Sequence, residues 1–311
     1  MKCLVTGCAG FIGSHLSQSL LSEGHKVFGI DNFHNYYDKS AKLENIRDFK
    51  RDPNFSLIEE SILSERLFEH IPKDVDIVFH LAAIAGVRYS IDHPSEYFTT
   101  NVIGTQKLLE FYKQSKFVYA SSSSVYGSVP KEQLPVSESA IPHPISPYAL
   151  SKLQGEQICL LYSELYGTEV CIVRYFTVYG PRQRPDEVFT KFIRLAFENK
   201  PLTVYGDGSK TRDFTHVQDI VDGTMKAAKV GDGIYNLGSG SNTSVNSMIS
   251  MMQEVLGRKL KVNHIASPPG DVPDTYADIT KAKKELKYTP RVGLKEGIKS
   301  CLEWYKTSVY F

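Results

Sequence analysis

Gly7-Cys8-Ala9-Gly10-Phe11-Ile12-Gly13 is the stretch of sequence that decides the fold. It follows an apolar run at residues 2–5 and precedes apolar side chains at helical spacing that end at Gly24. Glycines at this spacing permit a tight turn from strand to helix, a close approach of the backbone to a pyrophosphate, and tight packing of helix on strand. A glycine triplet alone often marks only a turn. Its place between a predicted strand and a predicted helix makes it a candidate dinucleotide-binding motif.

Strand-like and helix-like segments alternate beyond this turn. Strands are predicted at residues 26–30, 55–58, 77–81, 117–120 and 170–174, and long helices at residues 95–115 and 147–166. This alternation predicts a doubly wound, mostly parallel Rossmann-type α/β sheet with helices on both faces. After residue 174 the helices shorten and loop signals such as Gly206-Asp207-Gly208 appear, which predicts a smaller C-terminal α/β lobe.

The same change in pattern predicts two domains. Residues 1–174 are assigned to a dinucleotide-binding domain, to which residues 214–237 are expected to return as a helix and a strand. Residues 175–311 are assigned to a discontinuous substrate-binding lobe.

The composition excludes several classes of protein. Hydrophobic residues make up 41% of the 311 residues and charged residues 23%, which is typical of a globular chain. The net charge is +1 with no block of like charge, so neither nucleic acid nor an acidic membrane surface is expected as a partner. The five cysteines are scattered without metal-ligand spacing, which predicts no metal site. With neither a signal peptide nor an apolar run of about 20 residues, a cytoplasmic protein without a membrane span is expected.

Asp31 closes the second predicted strand. A carboxylate at this position accepts hydrogen bonds from the ribose hydroxyls of adenosine and repels a 2′-phosphate, which favours NAD. A solvated acid at a strand end is the alternative interpretation. Asn32 follows at the predicted turn and is included in the candidate cofactor site.

Tyr148 and Lys152 are four residues apart on a predicted helix and therefore share a face. A tyrosine is a poor base, but a neighbouring ammonium favours its phenolate form. Ser121-Ser122-Ser123-Ser124 follows the strand at residues 117–120, at the edge where open parallel sheets bind ligands. Each feature alone could be a helix surface or a polar loop. Together with the glycine turn they indicate hydride chemistry.

These stretches resemble the extended short-chain dehydrogenase/reductases, in particular their nucleotide-sugar epimerases and dehydratases. The resemblance covers nearly the whole chain. It rests on GCAGFIG at residues 7–13, His80-Leu81-Ala82-Ala83, Asn101-Val102, SSSSVYG at residues 121–127, YALSK at residues 148–152, Arg174-Tyr175-Phe176, YGPRQRP at residues 179–185 and Arg212-Asp213-Phe214.

The resemblance implies a role for each matching residue. The catalytic residues would be Ser122, Tyr148 and Lys152. The residues that hold a tightly bound, recycled NAD would be Gly7, Gly10, Phe11, Ile12, Gly13, Asp31, Asn32, Leu81, Ala82, Ala83, Asn101, Tyr148, Lys152 and Tyr175. The substrate-binding residues would be Arg88, Ser122, Ser123, Tyr148, Phe176, Thr177, Arg184, Arg212 and Asp271. Among these, Arg212 matches an arginine that grips the nucleotide phosphates.

The resemblance also implies a homodimer, formed by a four-helix bundle to which each subunit contributes two helices. The matching segments are residues 95–115 and 147–166, and the candidate contacts are Leu153, Ile158, Leu161 and Leu165. The alternative is that these side chains face their own sheet.

The positions after Ser122 distinguish the members of the family. The 4,6-dehydratases carry Asp and Glu there, and the UDP-glucuronate decarboxylases carry Glu where Ser124 stands. Ser123 and Ser124 leave elimination and decarboxylation without these proton-transfer groups. The sequence therefore favours inversion at C4 of a UDP-sugar through a transient 4-keto intermediate.

Residues 85–90, 177–186 and 270–278 are most similar to UDP-glucuronate 4-epimerases. That similarity implies that Thr177 and Arg184 hold the sugar carboxylate through charge-assisted contacts and favours conversion of UDP-glucuronate to UDP-galacturonate. Arg184 could instead be a surface arginine, and Arg88 could meet substrate, phosphate or a neighbouring acid.

Three alternative functions stay open at this point. The first is 4-epimerisation of a neutral sugar, UDP-glucose or UDP-N-acetylglucosamine. The second is a lyase, either a UDP-glucuronate decarboxylase or a nucleotide-sugar 4,6-dehydratase. The third is a dinucleotide-sensing relative without catalysis, which the presence of both Tyr148 and Lys152 disfavours.

Overall fold

The computed structural model describes residues 1–266 and 274–308. The strands are β1 (Lys2–Thr6), β2 (Lys26–Ile30), β3 (Phe55–Ile58), β4 (Ile77–His80), β5 (Lys116–Ser122), β6 (Val170–Tyr175), β7 (Thr177–Tyr179), β8 (Leu202–Tyr205), β9 (Thr211–Arg212), β10 (Phe214–His216), β11 (Gly233–Leu237), β12 (Thr243–Ser244) and β13 (Val262–Ile265).

The α-helices are α1 (Phe11–Ser22), α2 (Lys39–Ile46), α3 (Leu67–His70), α4 (Val87–Asp92), α5 (Pro94–Phe98), α6 (Gly104–Phe111), α7 (Pro147–Tyr166), α8 (Val188–Phe197), α9 (Val217–Val230), α10 (Val245–Leu256) and α11 (Leu294–Thr307). Segments Thr99–Ile103 and Ala282–Leu286 are π-helical, and segments Ser123–Tyr126 and Lys131–Gln133 form 3₁₀ turns.

A seven-stranded parallel sheet lies at the centre, in the order β3-β2-β1-β4-β5-β6-β11. The strand order reverses between β1 and β4, and in open sheets of this kind the crevice at the carboxyl ends of these strands receives the ligand. The predicted doubly wound Rossmann-type fold is confirmed.

Helices cover both faces of this sheet, so its strands are buried on both sides. Cys3 and Val5 of β1 pack in the core on one face, together with residues of α1 and α9. Leu4, between them, packs on the opposite face with residues of α6 and α7. This alternation explains why the strands are almost uniformly apolar in sequence.

Helix α7 begins and ends at residues suited to helix termini. The Ser146 hydroxyl accepts a hydrogen bond from the Ala149 amide at 3.1 Å, and Pro147 occupies the first turn. The helix ends at Gly167, which has a left-handed φ of 70°. Any side chain at Gly155 would collide with the Tyr119 hydroxyl, so this glycine lets α7 lie directly against β5.

The helix expected at residues 95–115 is interrupted. Helix α5 leads into the π-helical turn Thr99–Ile103, and α6 ends at Phe111. Asn101 lies in the π-helical turn, where its side chain bonds both the amide and the carbonyl of Ile84. The irregular backbone therefore serves to hold the loop after β4, a tertiary contact that helical periodicity does not report.

A smaller lobe has its own core, built around Tyr179, Phe189, Phe214 and Met248. Its two-stranded pairs are β7 with β10, β9 with β12 and β8 with β13. From this lobe the chain returns to the large sheet through α9 and β11, and Leu237 pairs with Tyr175 of β6. Within residues 1–266 and 274–308, no helix is long and apolar enough to cross a membrane.

Candidate active site

The glycine turn leaves the start of α1 open. Gly7 has a φ of 73°, and a side chain at Gly13 would collide with the Gly7 carbonyl oxygen. The residue that caps α1 is Gly10, which has no side chain to bond the first-turn amides. These amides and the helix dipole can therefore serve a phosphate group.

The Asp31 carboxylate is buried at the end of β2. Its Oδ2 accepts a hydrogen bond from the Ala9 amide at 3.1 Å, and its Oδ1 accepts one from the Phe33 amide at 2.8 Å. Burial raises the pKa of Asp31, while the nearby Lys42 and the two amides act to lower it. The turn that binds the carboxylate thus fixes its position beside the glycine turn. Asn32 is exposed next to it and accepts a hydrogen bond from the His34 amide.

A cavity of about 480 Å³ runs along the carboxyl edge of the sheet. It brings together most of the residues that the sequence singled out. Those that line it are Gly7, Gly10, Phe11, Ile12, Gly13, Asp31, Asn32, Leu81, Ala82, Ala83, Ser122, Ser123, Tyr148, Lys152, Tyr175, Phe176, Thr177 and Arg184.

Tyr148 lies on the first turn of α7 and faces this cavity beside Ser122. Burial raises the pKa of Tyr148, whereas hydrogen bonding with Ser122 and the charge of Arg184 act to lower it. The Ser122 hydroxyl in turn accepts hydrogen bonds from the amide and the hydroxyl of Ser124, at 3.2 and 2.9 Å. A phenol and an oriented hydroxyl therefore meet at one wall of the cavity.

Lys152 lies one helical turn after Tyr148 and is buried. Its Nζ donates to the carbonyl of Ala120 at 2.7 Å and lies 5.0 Å from the centre of the Tyr119 ring. Burial lowers the pKa of Lys152 to about 8, opposed by the negative charge of Glu156 among other groups. Lys152 and Tyr148 thus line the same cavity, one turn apart on α7.

A buried ion pair that the sequence analysis missed lies beneath these groups. Arg174 donates to Glu156 through Nη2 at 2.6 Å and Nε at 2.9 Å, and the Ser121 hydroxyl also donates to Glu156. The Arg174 guanidinium stacks 4.7 Å from the centre of the Tyr126 ring. Glu156 follows Lys152 by four residues and lies on the same buried face of α7. This spacing was the signal in the sequence from which Glu156 could have been found. Its hydrogen bond with Ser121 connects α7 to the end of β5 where the serines lie.

Arg184 reaches the cavity from the loop before α8. Its Nε lies 3.2 Å from Asp186, its Nη2 lies 2.8 Å from Glu187, and its guanidinium is 5.4 Å from the centre of the Tyr36 ring. The Arg184 side chain is 16% exposed, so it is not a freely solvated surface arginine. Tyr36 and Glu187 also line the cavity, and the sequence analysis missed both because they follow no motif.

The remaining candidate residues lie outside the described cavity lining. Asn101 supports the loop after β4 through Ile84 and also donates to the Ser151 hydroxyl at 3.0 Å. Arg88 donates to the Tyr205 hydroxyl at 2.9 Å and stacks on that ring. The Arg212 Nη1 donates to the carbonyl of Thr211. Asp271 lies outside the described residues.

A glycine turn at the head of a helix, a carboxylate at the end of the second strand and a Ser–Tyr–Lys cluster share one cavity, which is the arrangement of a short-chain dehydrogenase/reductase. A family model described as GDP-mannose 4,6 dehydratase matches residues 4–301, and the chain belongs to this extended short-chain dehydrogenase/reductase family.

Two of the relatives that match nearly the full length of the chain carry epimerase names. The uncharacterized UDP-glucose epimerase YtcB of Bacillus subtilis is 41% identical and covers 100% of this chain and 99% of its own. The UDP-glucuronate 4-epimerase of Thermodesulfobacterium geofontis is 40% identical, over 98% of this chain and 96% of the relative. Among solved structures, the chain is similar to the UDP-glucuronic acid 4-epimerase of Bacillus cereus in complex with UDP-glucuronic acid and NAD. The TM-score is 0.93 and the identity 42%, over 98% of this chain and 99% of the other.

The buried ammonium of Lys152 has a measurable consequence for stability. Its pKa falls from an ordinary 10.5 to about 8 on folding, so between these values the unfolded chain binds more protons than the folded one. Stability should therefore rise with pH across this window by on the order of 2 kcal/mol from this group, and Lys152→Met should remove that rise.

Urea unfolding at about pH 7.5 and about pH 9.5 measures the difference. Lys299→Met, at an exposed lysine of α11, is the matched control and should keep the rise seen in the unmodified protein. An identical pH dependence in Lys152→Met and the unmodified protein would show that Lys152 is not desolvated as described.

Proposed function

We propose that this chain is an NAD-dependent UDP-sugar 4-epimerase that converts UDP-glucuronate to UDP-galacturonate. The observation that carries the proposal is the presence of Arg184 and Thr177 in the same cavity as Ser122 and Tyr148. A cation facing the sugar end of the cavity suits a hexuronic acid. Serines stand at positions 123 and 124, where the dehydratases and decarboxylases of the family carry the acids that transfer protons.

The residues at the cofactor end of the cavity fit NAD. The start of α1 meets the cavity at Gly10, where the backbone can approach a pyrophosphate. A side chain at Gly13 would collide with the Gly7 carbonyl oxygen, so this glycine permits the tight packing of helix on strand. The Asp31 carboxylate, held by two amides, can accept bonds from ribose hydroxyls, and its charge disfavours a 2′-phosphate. NAD, when bound, accepts the hydride from C4 of the sugar and returns it, so no second redox partner is required.

Tyr148 is the proton-transfer group in this proposal. Its Oη accepts the proton of the C4 hydroxyl, while the Ser122 hydroxyl hydrogen-bonds the same sugar oxygen. The Lys152 ammonium stabilises the phenolate, which lowers the barrier to deprotonation. The 4-keto sugar then turns so that its opposite face points toward the nicotinamide position, and Tyr148 returns the proton to the C4 oxygen. The same two side chains thus serve both halves of the reaction.

Arg184 and Thr177 have a second task with an acid substrate. A 4-keto sugar with a C6 carboxylate is a β-keto acid, which loses CO₂ readily when the C5–C6 bond aligns with the carbonyl. Charge-assisted contacts to the carboxylate can hold that bond out of line.

The proposal also assigns the other substrate-binding residues. Arg212 would bind the nucleotide phosphates, and Arg88, Ser123 and Phe176 would contact the sugar and its link to the phosphates. Asp271 is part of the same proposal.

A division of the chain into two domains is part of this proposal. We infer that residues 1–174, together with the returning segment 214–237, form the NAD-binding domain. The rest of residues 175–311 forms the nucleotide-sugar lobe. Arg184 and Thr177 then approach the sugar from the second lobe, while Tyr148 and Ser122 approach it from the first.

A homodimer through a four-helix bundle is supported by the outer face of α7. Leu161 and Leu165 are 48% and 61% exposed, and Leu160 is 42% exposed. The other two candidate contacts, Leu153 and Ile158, pack against the cores of their own subunit. Exposed leucines on consecutive turns of one helix suit a second copy of the same helix.

We infer that the enzyme is cytoplasmic. Its five cysteines are all buried and free, which suits a reducing compartment.

One observation favours a second candidate, a UDP-glucose 4-epimerase. Asp186 and Glu187 already pair with Arg184, so a neutral sugar could bind without disturbing a charge. The name of the Bacillus subtilis relative points the same way.

Proton NMR of the products separates these functions. The purified protein, incubated without added NAD, should convert UDP-glucuronate to UDP-galacturonate faster than it converts UDP-glucose or UDP-N-acetylglucosamine. Tyr148→Phe should lose at least about 10²-fold in rate, because it lacks the proton-transfer group, while it still retains bound NAD. A UDP-pentose product would mean decarboxylation, and appreciable activity in Tyr148→Phe would remove Tyr148 from the central role.

Arg184→Ala tests the carboxylate contact. Loss of one charge-assisted contact should lower kcat/KM for UDP-glucuronate by roughly 10- to 100-fold, and any UDP-pentose formed should increase as a share of product. Arg194→Ala, at an exposed arginine of α8, is the matched control and should leave both quantities unchanged. Unaltered turnover of UDP-glucuronate by Arg184→Ala would refute the assigned role.

Leu161→Glu tests the dimer. A buried glutamate without a partner should dissociate the interface, so light scattering after size exclusion should change from twice the chain mass to one chain mass. Ile141→Glu changes an 89% exposed loop residue and should leave the dimer intact. A single chain mass for the unmodified protein would contradict the proposed assembly.

A further inference from the structure

The guanidinium of Arg184 has two carboxylate partners within the chain. Glu187 Oε1 lies 2.8 Å from Nη2 and Asp186 Oδ1 lies 3.2 Å from Nε. One cation therefore faces two anions before any sugar acid enters the cavity. A substrate carboxylate adds a third anion, so it must displace one of the internal partners.

Glu187 and Asp186 differ in position. Glu187 lines the cavity, where Thr177 and Tyr148 also lie, and its side chain is 27% exposed. Asp186 is 45% exposed, accepts a hydrogen bond from the Tyr36 hydroxyl at 3.1 Å, and is outside the described cavity lining. The charges of Arg184 and Glu187 both act on the pKa of Tyr148, Arg184 lowering it and Glu187 raising it. Glu187 is thus the partner that a substrate carboxylate would replace.

The proposed reaction makes a conflicting demand on this arginine. The carboxylate must be held while C4 is oxidised and again while it is reduced. Between these events the 4-keto sugar has to turn over, so its carboxylate must leave and return. A buried charge that loses its partner is strongly destabilised, and a tightly held carboxylate would therefore oppose the turn.

We propose that Glu187 is a positioning residue that exchanges with the substrate carboxylate on Arg184. When the sugar turns, the Glu187 carboxylate pairs with the guanidinium and keeps it compensated. When the sugar is seated on either face, the substrate carboxylate takes that place. The inference rests on the proposed epimerisation of UDP-glucuronate and deepens it by naming the group that lets the acid substrate turn.

The fold around Glu187 suits such an exchange. Its backbone carbonyl accepts a hydrogen bond from the Lys191 amide at 2.9 Å at the start of α8, so the main chain is fixed independently of the side chain. Its carboxylate makes no hydrogen bond to the α8 amides. Besides Arg184, its hydrogen-bond partner is the side chain of Gln183. Movement of the carboxylate away from Arg184 therefore breaks side-chain contacts and leaves the backbone of α8 unchanged.

Glu187→Gln is the direct test, with the NAD-loaded enzyme and UDP-glucuronate. The amide keeps the shape but cannot neutralise the arginine, so the substrate should bind more tightly and turn more slowly. We expect KM to fall about threefold or more and kcat to fall about tenfold. Reduced nicotinamide, followed by its near-ultraviolet absorbance, should accumulate in the steady state. A loss of packing would raise KM instead and leave no reduced cofactor.

Two further variants make the result specific. Asp186→Asn removes the same charge from the more exposed partner and should change KM and kcat by less than about twofold. Glu187→Asp keeps a carboxylate and should restore part of the turnover lost in Glu187→Gln. Unchanged kcat in Glu187→Gln, or equal effects of Glu187→Gln and Asp186→Asn, would overturn the exchange. Failure of the unmodified protein to form UDP-galacturonate would instead overturn the proposed function.

Discussion

A lysine ammonium buried against a strand-end carbonyl is the contact on which the site depends. The 2.7 Å bond from Lys152 Nζ to Ala120 joins α7 to β5 at the point where the serines begin. A buried ammonium is unfavourable, and burial lowers its pKa to about 8. Glu156, the acidic member of the Glu156–Arg174 ion pair, lies one turn further along the same helix, and its negative charge offsets part of this cost. The buried ammonium is therefore partly compensated by Glu156, which lies outside the described cavity lining.

The parts of this site that the sequence could predict are those set by local chemistry. The glycine turn, Asp31 and the Tyr148–Lys152 spacing each depend on a few neighbouring residues and a strand or helix of known direction. The doubly wound, mostly parallel sheet was predicted from the alternation of strands and helices, and it is confirmed. The Glu156–Arg174 pair and the position of Tyr36 depend on elements that meet only in three dimensions. The two acids on Arg184 are its neighbours in sequence, but no motif signals that they pair with it. The π-helical turn at Thr99–Ile103 likewise follows from a contact of Asn101 with Ile84 and not from periodicity.

The end of the cavity around Arg184 is assembled from segments that are far apart in sequence. Tyr36 follows β2, and Arg184 and Glu187 precede α8, yet the ring and the guanidinium lie 5.4 Å apart. A cation already paired with two carboxylates binds an acid less tightly than a free cation would, and this suits an enzyme whose intermediate must change faces. In the proposed exchange, Arg184 and Glu187 together adjust both the selectivity for an acid sugar and its freedom to turn.

The most direct test of inversion by hydride removal and return uses UDP-glucuronate deuterated at C4. The unmodified protein, without added NAD and in ordinary water, should yield UDP-galacturonate that retains the deuterium at C4, as measured by mass spectrometry and proton NMR. Retention is expected because the hydride never exchanges with solvent on the nicotinamide. Loss of the C4 deuterium to solvent, with inversion still observed, would contradict hydride transfer and indicate proton abstraction at carbon.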